Sequence, residues 1–382
     1  MPPSPAQARL AEFLETAERL KNERAVAGNV LETVEATPPA AWPSLAATPE
    51  FQTNAALERL GEEVRRRLDR NPREALALAE LATTIADALP ENAYPAVTLA
   101  QIRAMAWKDR ANALRIVGQT SEALNVLAQA ENILERHVAL GADRAIVDMV
   151  KALIYIDEGE VDNARSIAIS CSSVFLAHGD LNRALQAGEI EGYVLFEKRQ
   201  YGDARVLFQS LLEVAQATDD IAAEARCENN LGHCLINLDE PKLANIHFSN
   251  AIAKLTDLGQ PLAATRAQWG AGQVLLAKGQ SDNGVHHLNT ARASFLQHGM
   301  FEEAALCGLV IAENLLSRGE DATARKIVHS IAEECRKSIS EHRIVEAVAA
   351  LEQMIDTSEA PLSELRHVYS LIESSQSRRV QL

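Results

Sequence analysis

The chain has 382 residues, 47% of them hydrophobic but only 4% aromatic, and a formal charge of −16 at pH 7. With few rings and many alanines, apolar surface has to be buried through many small contacts, as closely packed helices do, so the composition favours an all-α protein, either two or three ordinary domains or one extended repeat array. The negative charge repels phosphate backbones and argues against a nucleic-acid partner.

The dense basic run, Arg65-Arg66-Arg67 with Arg70 and Arg73, is interleaved with Glu62, Glu63, Asp69 and Glu74 and reads as a solvated helix face carrying local ion pairs. The five cysteines (Cys171, Cys227, Cys234, Cys307, Cys335) are odd in number and widely spread within apolar helical patterns, so no disulfide framework is visible. Neither a signal-peptide core nor a stretch approaching about 18 apolar residues is present, which leaves a reducing cytoplasm as the expected location and no membrane partner.

In chain order, residues 1–35 suggest one or two helices opening at Ser4-Pro5, and residues 36–50 (ATPPAAWPSLAATPE), with four prolines, read as a linker. An alternative for this stretch is a tethered segment whose Trp42 docks into the protein's own groove. From 51 to 382 a repeat takes over. EEVRRRLDRNPREALALAELA is a weak first unit with its turn near Arg70; the step from there to Gly118 is 48 residues, so either a helix is longer or the loop around Pro90 and Pro95 holds an insertion.

Clear repeats span about 104–336, with inter-helix turns expected at Gly118, Gly159, Arg199, Asp239, Gly279 and Gly319, in steps of 41, 40, 40, 40 and 40. Seven residues before each turn stands a small side chain (Ala111, Ala152, Gly192, Gly232, Gly272, Ala312), and five after it another (Ala123, Ala164, Ala204, Ala244, Gly284, Ala324). Four residues further on comes Leu127, Ala168, Phe208, Phe248, Leu288 or Val328, mostly larger groups one helical turn along the same face. Small against large at fixed offsets is the signature of helices in close contact. Gly179, Asp219, Gly259 and Gly299, again 40 apart, read as helix ends, and Pro241 and Pro261 as helix starts. LEQMIDTSEAPLSELRHVYSL fits the same template at the other end, giving a capping hairpin at about 342–375.

These residues resemble the tetratricopeptide repeat, which has a small residue at its eighth position, alanine at the twentieth and a large apolar or aromatic residue at the twenty-fourth. The period of about 40 exceeds the usual 34 or so, the terminal proline is missing and the early tryptophan survives only as Trp107. Such longer units look like those of bacterial peptide-sensing regulators and of cell-polarity and motor adaptors. The resemblance implies a right-handed α-α superhelix of about seven helical hairpins, whose first helices line a concave face with positions two, five, six, nine and thirteen.

Transferred unit by unit, that frame presents Arg226, Asn229, Asn230, His233 and Asn237 from the fourth clear repeat and Arg266, Trp269 and Gln273 from the fifth. Preceding units present mostly apolar groups (Ile146, Met149, Leu153, Ile156, then Ile190, Tyr193 and Phe196). Asn230 resembles the family's device for gripping an extended peptide backbone, since its amide both donates and accepts. Arg226 and Arg266 would bind a carboxylate and Trp269 an apolar or cationic side chain. Lys108 and Asn112 look like half of a carboxylate clamp whose other half is absent at Met149 and Val150. The alternative is that a polar cluster of this kind is ordinary surface.

Chemistry has no anchor in the sequence. GAGQVLLAKGQS lacks the Gly-Lys-Ser/Thr ending of a phosphate loop, and no nucleophile elbow or Cys-x-x-Cys pair is present. Cys227, His233, Cys234 and His247 are the richest soft-ligand group, but Cys234 falls on a packing face and reads as a buried thiol. The expectation is therefore a non-enzymatic interaction module without metal or cofactor, taking a protein or peptide partner. The alternative is a peptide- or ligand-responsive sensor controlling a separate regulator.

Overall fold

The computed structural model describes residues 14–15, 17–24, 27–68, 71–338, 342–357 and 362–376. The expected opening at Ser4-Pro5 and the expected turn at Arg70 lie outside them. A short helix over 17–24 (α1) and Val30–Ala36 (α2) precede the array. The helices then come in pairs: Asn54–Leu68 and Pro72–Ala88 (α3, α4), Ala96–Ile116 and Thr120–Glu135 (α5, α6), Gly141–Asp157 and Val161–Ala177 (α7, α8), Leu181–Glu197 and Tyr201–Ala217 (α9, α10). Ile221–Asn237 and Pro241–Asp257 (α11, α12), Pro261–Ala277 and Ser281–Gln297 (α13, α14), Phe301–Ser317 and Asp321–Ser338 (α15, α16) and His342–Thr357 and Leu362–Gln376 (α17, α18) complete eight pairs among the described residues. No strand occurs among those residues, and none of their helices is long and apolar enough to cross a membrane.

Every helix from α8 to α16 starts 20 residues after the one before it, because one three-residue link recurs. Gly118, Gly159, Arg199, Asp239, Gly279 and Gly319, the expected turn residues, all have positive φ, as do Gly179, Asp219, Gly259 and Gly299. At nine of these ten turns the following residue closes the helix it leaves: Gln119 N–H donates to Leu114 O at 2.9 Å and Glu240 N–H to Leu235 O at 2.8 Å, the longer bond of a Schellman cap. The same residue opens the next helix, since Ala123 N–H donates back to Gln119 O at 2.9 Å. The longer step before Gly118 has both of its expected sources, for α5 has 21 residues against the usual 17 and the link 89–95 is longer than three.

Small and large side chains meet as their spacing requires. A Cβ added at Gly192 would stand 2.7 Å from Phe208, one at Gly232 2.8 Å from Phe248, and one at Gly272 2.8 Å from Leu288. Each ring or branch therefore occupies the volume its partner glycine leaves empty.

The residues group into two compact units, one comprising Met1–Ile154 with Ser173–His178 and the other Tyr155–Ser172 with Gly179–Leu382. In the first unit, the stretch read as a linker is packed: Pro39–Ala47 forms a 3-10 helix lying on α4. Trp42, 3% exposed, donates its indole N–H to Thr37 O at 2.9 Å and Val34 O at 3.1 Å, and it shares a core with Phe51, Leu60, Ile85 and Tyr94. Prolines shape the short helix while the largest apolar side chain of the stretch is buried, so Trp42 docks into that unit's core rather than into a groove. The arginine run keeps the expected solvated face with local ion pairs, Arg65, Arg66 and Arg73 being exposed, and only Arg67 turns inward. Glu63, 3% exposed, accepts from Arg66 at 2.7 Å and from Arg67, whose guanidinium also reaches Glu74 at 2.5 Å.

In the second unit the first helix of each pair (the A-helices α9, α11, α13 and α15) packs on the next A-helix as well as on its own partner, so the array turns toward the A-helix face. The final pair departs from this pattern. α18 packs on α15 as well as on α17, leaving the place that a second repeat helix would take and lying along the A-helices.

Candidate functional site

Four A-helices of the second unit place one side chain each at the ninth repeat position, Tyr193, His233, Gln273 and Glu313, in steps of 40 residues. Around this row sit the residues that the frame singled out, and each now has a specific environment.

Arg226 is engaged inside the protein. Its Nε and Nη2 donate to Glu189 at 2.8 and 3.1 Å, and Glu189 is 0% exposed. Burial raises the Glu189 carboxyl above its ordinary range, and the Arg226 charge opposes that shift. The expected role of Arg226 in gripping a ligand carboxylate is therefore corrected: its fork is filled by a side chain of the preceding A-helix. Glu189 was not among the residues singled out from the sequence, although it occupies the same fifth repeat position as Asn229 and Trp269.

Asn229 and Trp269, one repeat apart, share a property that Asn314 of α15 also has. The Asn229 Oδ1 and the Trp269 Nε1 are buried, and neither has a hydrogen-bond partner among the described residues. One is an acceptor and the other a donor. Trp269 also meets Phe295 edge to face, with centroids 6.2 Å apart. Asn230 is half-buried on the same helix.

His233 stands edge-on between Phe196 and Phe248, at centroid distances of 6.5 and 5.0 Å. Burial among these rings lowers its pKa to about 4, so the ring is neutral at physiological pH. Asn237 is exposed, and its amide donates to His233 O at 2.9 Å. Arg266 lies 3.9 Å from Glu303.

Gln273 lies beside the Tyr369 hydroxyl of α18, and Arg366 of the same helix donates to Glu313 at 2.7 Å. Glu373, one turn beyond Tyr369, feels the charge of Arg199, and its own charge reaches Tyr193 and Glu197. Burial is the main cause of the raised carboxyl pKa values of Glu197 and Glu373, and the Glu373 charge adds to the rise at Glu197. The last helix thus runs along the ninth-position row, an arrangement that its template-like sequence concealed.

Lys108 and Asn112 belong to the first unit. There Lys108 pairs with Asp109, and Asn112 Oδ1 accepts from Arg115 Nε at 3.1 Å. Cys227 and Cys234 are buried, with burial pushing the Cys234 thiol up to about 12, while His247 pairs with Glu228. Among the described residues no three His, Cys, Asp or Glu side chains are grouped to hold a metal ion. Paired charges, neutral rings and two orphan polar atoms suit this face to holding a polypeptide.

No protein-family model matches the chain, and no curated protein sequence matches it. Among solved structures, the apo form of the quorum sensor NprR from B. thuringiensis aligns with a TM-score of 0.58 at 12% identity, covering 93% of this chain and 98% of that one. A signal transduction ATPase with numerous domains from Pyrococcus horikoshii, PH0952, which carries a tetratricopeptide repeat sensor, aligns with a TM-score of 0.57 at 10% identity over 92% of this chain. The fold is tetratricopeptide-like. The present chain spans 52% of that ATPase chain. A third tetratricopeptide-like neighbour is the Rap conjugation gene regulator of plasmid pLS20 in complex with the Phr* peptide, with a TM-score of 0.50 at 12% identity, covering 80% of this chain and 96% of that one. At these identities the likeness concerns the fold.

Proposed function

We propose that this chain is a non-enzymatic interaction module that holds a peptide or a partner's helix on the A-helix face of its second unit. The observation that carries this reading is the pair of orphan atoms, Asn229 Oδ1 and Trp269 Nε1, at equivalent positions of adjacent A-helices. Leaving a buried donor or acceptor unpaired costs about 1–3 kcal/mol each, a cost that folding alone does not repay. Polypeptide supplies both complements, N–H for the asparagine oxygen and C=O for the indole. The pLS20 regulator, of like fold, was solved with a peptide bound, which supports looking for the same class of ligand here. Its role would be regulatory through what it binds, either as an adaptor or as a sensor acting on a separate regulator.

The test is capture from cell lysate with the full chain and an Asn229→Ala, Asn230→Ala variant of equal helicity and melting temperature. Removing an orphan acceptor should leave stability unchanged or slightly raised, while partners held on this face drop out of the variant's capture. Identical partner sets for both chains would reject the face as the site, and absence of protein partners from both would favour the small-ligand sensor.

A further inference from the structure

Leu365, Val368 and Ile372, at 1%, 0% and 0% exposure, form the buried edge of α18, spaced i, i+3, i+7 with Tyr369 beside them at i+4. They belong to one apolar cluster with Leu309, Ala312 and the flank of Trp269. The polar side chains of α18 meet the row of ninth positions, Tyr369 at Gln273 and Arg366 at Glu313. A helix so placed covers the face on which the preceding reading seats a ligand.

We propose that α18 is an internal, exchangeable occupant of this groove, and that the ligand replacing it is a partner's amphipathic helix with aliphatic residues at i, i+3 and i+7 and an aromatic residue at i+4. The inference rests on the groove reading and specifies its ligand class. Two features make α18 exchangeable. Its polar pairs are peripheral, Arg366 being 70% exposed in its bond to Glu313, and such exposed pairs hold weakly. It is also the last helix among the described residues, so its departure uncovers α15 and α17 but no later described helix. A tethered helix competes at high effective concentration, so an incoming helix must match its apolar edge and exceed its affinity.

The probe is a fluorescein-labelled synthetic peptide with the sequence of residues 362–376, titrated by anisotropy into the full-length chain and into full-length Val368→Asp, Ile372→Asp. The expected result is that the variant binds the peptide about tenfold tighter than the wild type or better, because its own α18 no longer competes. Amides over 266–273 should exchange faster in the variant and regain protection on peptide addition. If the double aspartate variant loses array helicity, Arg366→Glu, Tyr369→Ala serves as the milder release. Equal affinity of peptide for wild type and a folded released variant, or no binding to either, overturns the proposal. The groove reading is judged separately, by the Asn229→Ala, Asn230→Ala capture: peptide failure with that capture intact removes α18 as the competitor and leaves the groove as a site.

Discussion

Glu189 is a fully buried carboxylate, and Arg226 supplies its counter-charge through two bonds of 2.8 and 3.1 Å from the next A-helix. Truncating one partner of such a pair strands the other, so Arg226→Ala should lose about 3–5 kcal/mol of stability in urea denaturation, whereas Glu189→Leu, Arg226→Met should fall within about 1–2 kcal/mol of wild type. A loss under about 1 kcal/mol for Arg226→Ala would show that the guanidinium is dispensable to the fold and restore it as a candidate ligand group. That outcome matters for any binding experiment, since a variant at Arg226 loses binding for reasons of folding. The arginine itself was legible in the sequence, being a charged side chain at an inward repeat position. Its partner was not, because the pairing joins positions 37 residues apart, and a repeat frame states which residues face inward without stating which of them consume one another. Asn229 and Trp269 are the converse case: the frame picked both, and their lack of internal partners is a property that only packing reveals.

Between elements, the decisive contact is a ring shared by two helices. Phe248 of α12 lies where a Cβ on Gly232 would be 2.8 Å away and one on Gly270 2.5 Å away, so a single side chain spaces consecutive A-helices. Gly232→Ala or Gly270→Ala should each cost about 1–3 kcal/mol through overpacking, and Phe248→Leu should recover part of the loss in either background. Additive losses in the double variants would mean the ring can shift aside, contrary to its fully buried position at 0% exposure. The Gly232 to Phe248 half of this contact is readable from spacing alone, and so is each three-residue link, because left-handed turns fall where the sequence puts glycine and, under strain, at Arg199, Asp219 and Asp239. The Gly270 half is hidden by looking at one repeat at a time. The placement of α18 is hidden for a different reason: a Leu365, Val368, Ile372 edge suits a repeat helix and a groove-bound helix equally.

At the scale of the second unit, stability is assembled from interfaces between neighbours. One apolar cluster joins α9, α10 and α11, another α11, α12 and α13, another α13, α14 and α15, and the last carries on from α14 to α18. In such an array each internal helix is supported from both sides, and the ends from one. Amide exchange should therefore be slowest over 221–297 and faster by at least about tenfold over 342–376 under native conditions, as expected where opening free energies fall from the global value toward zero at the ends. Uniform protection across both ranges would mean that the unit opens only as a whole, and α18 could then leave the groove only by global unfolding, a cost no peptide ligand of ordinary affinity could meet. Graded protection would instead put α18 at the low-stability end of the array, where displacement by an incoming helix competes with local opening alone. The gradient thus determines whether the A-helix face can exchange occupants while the repeats beneath it stay folded.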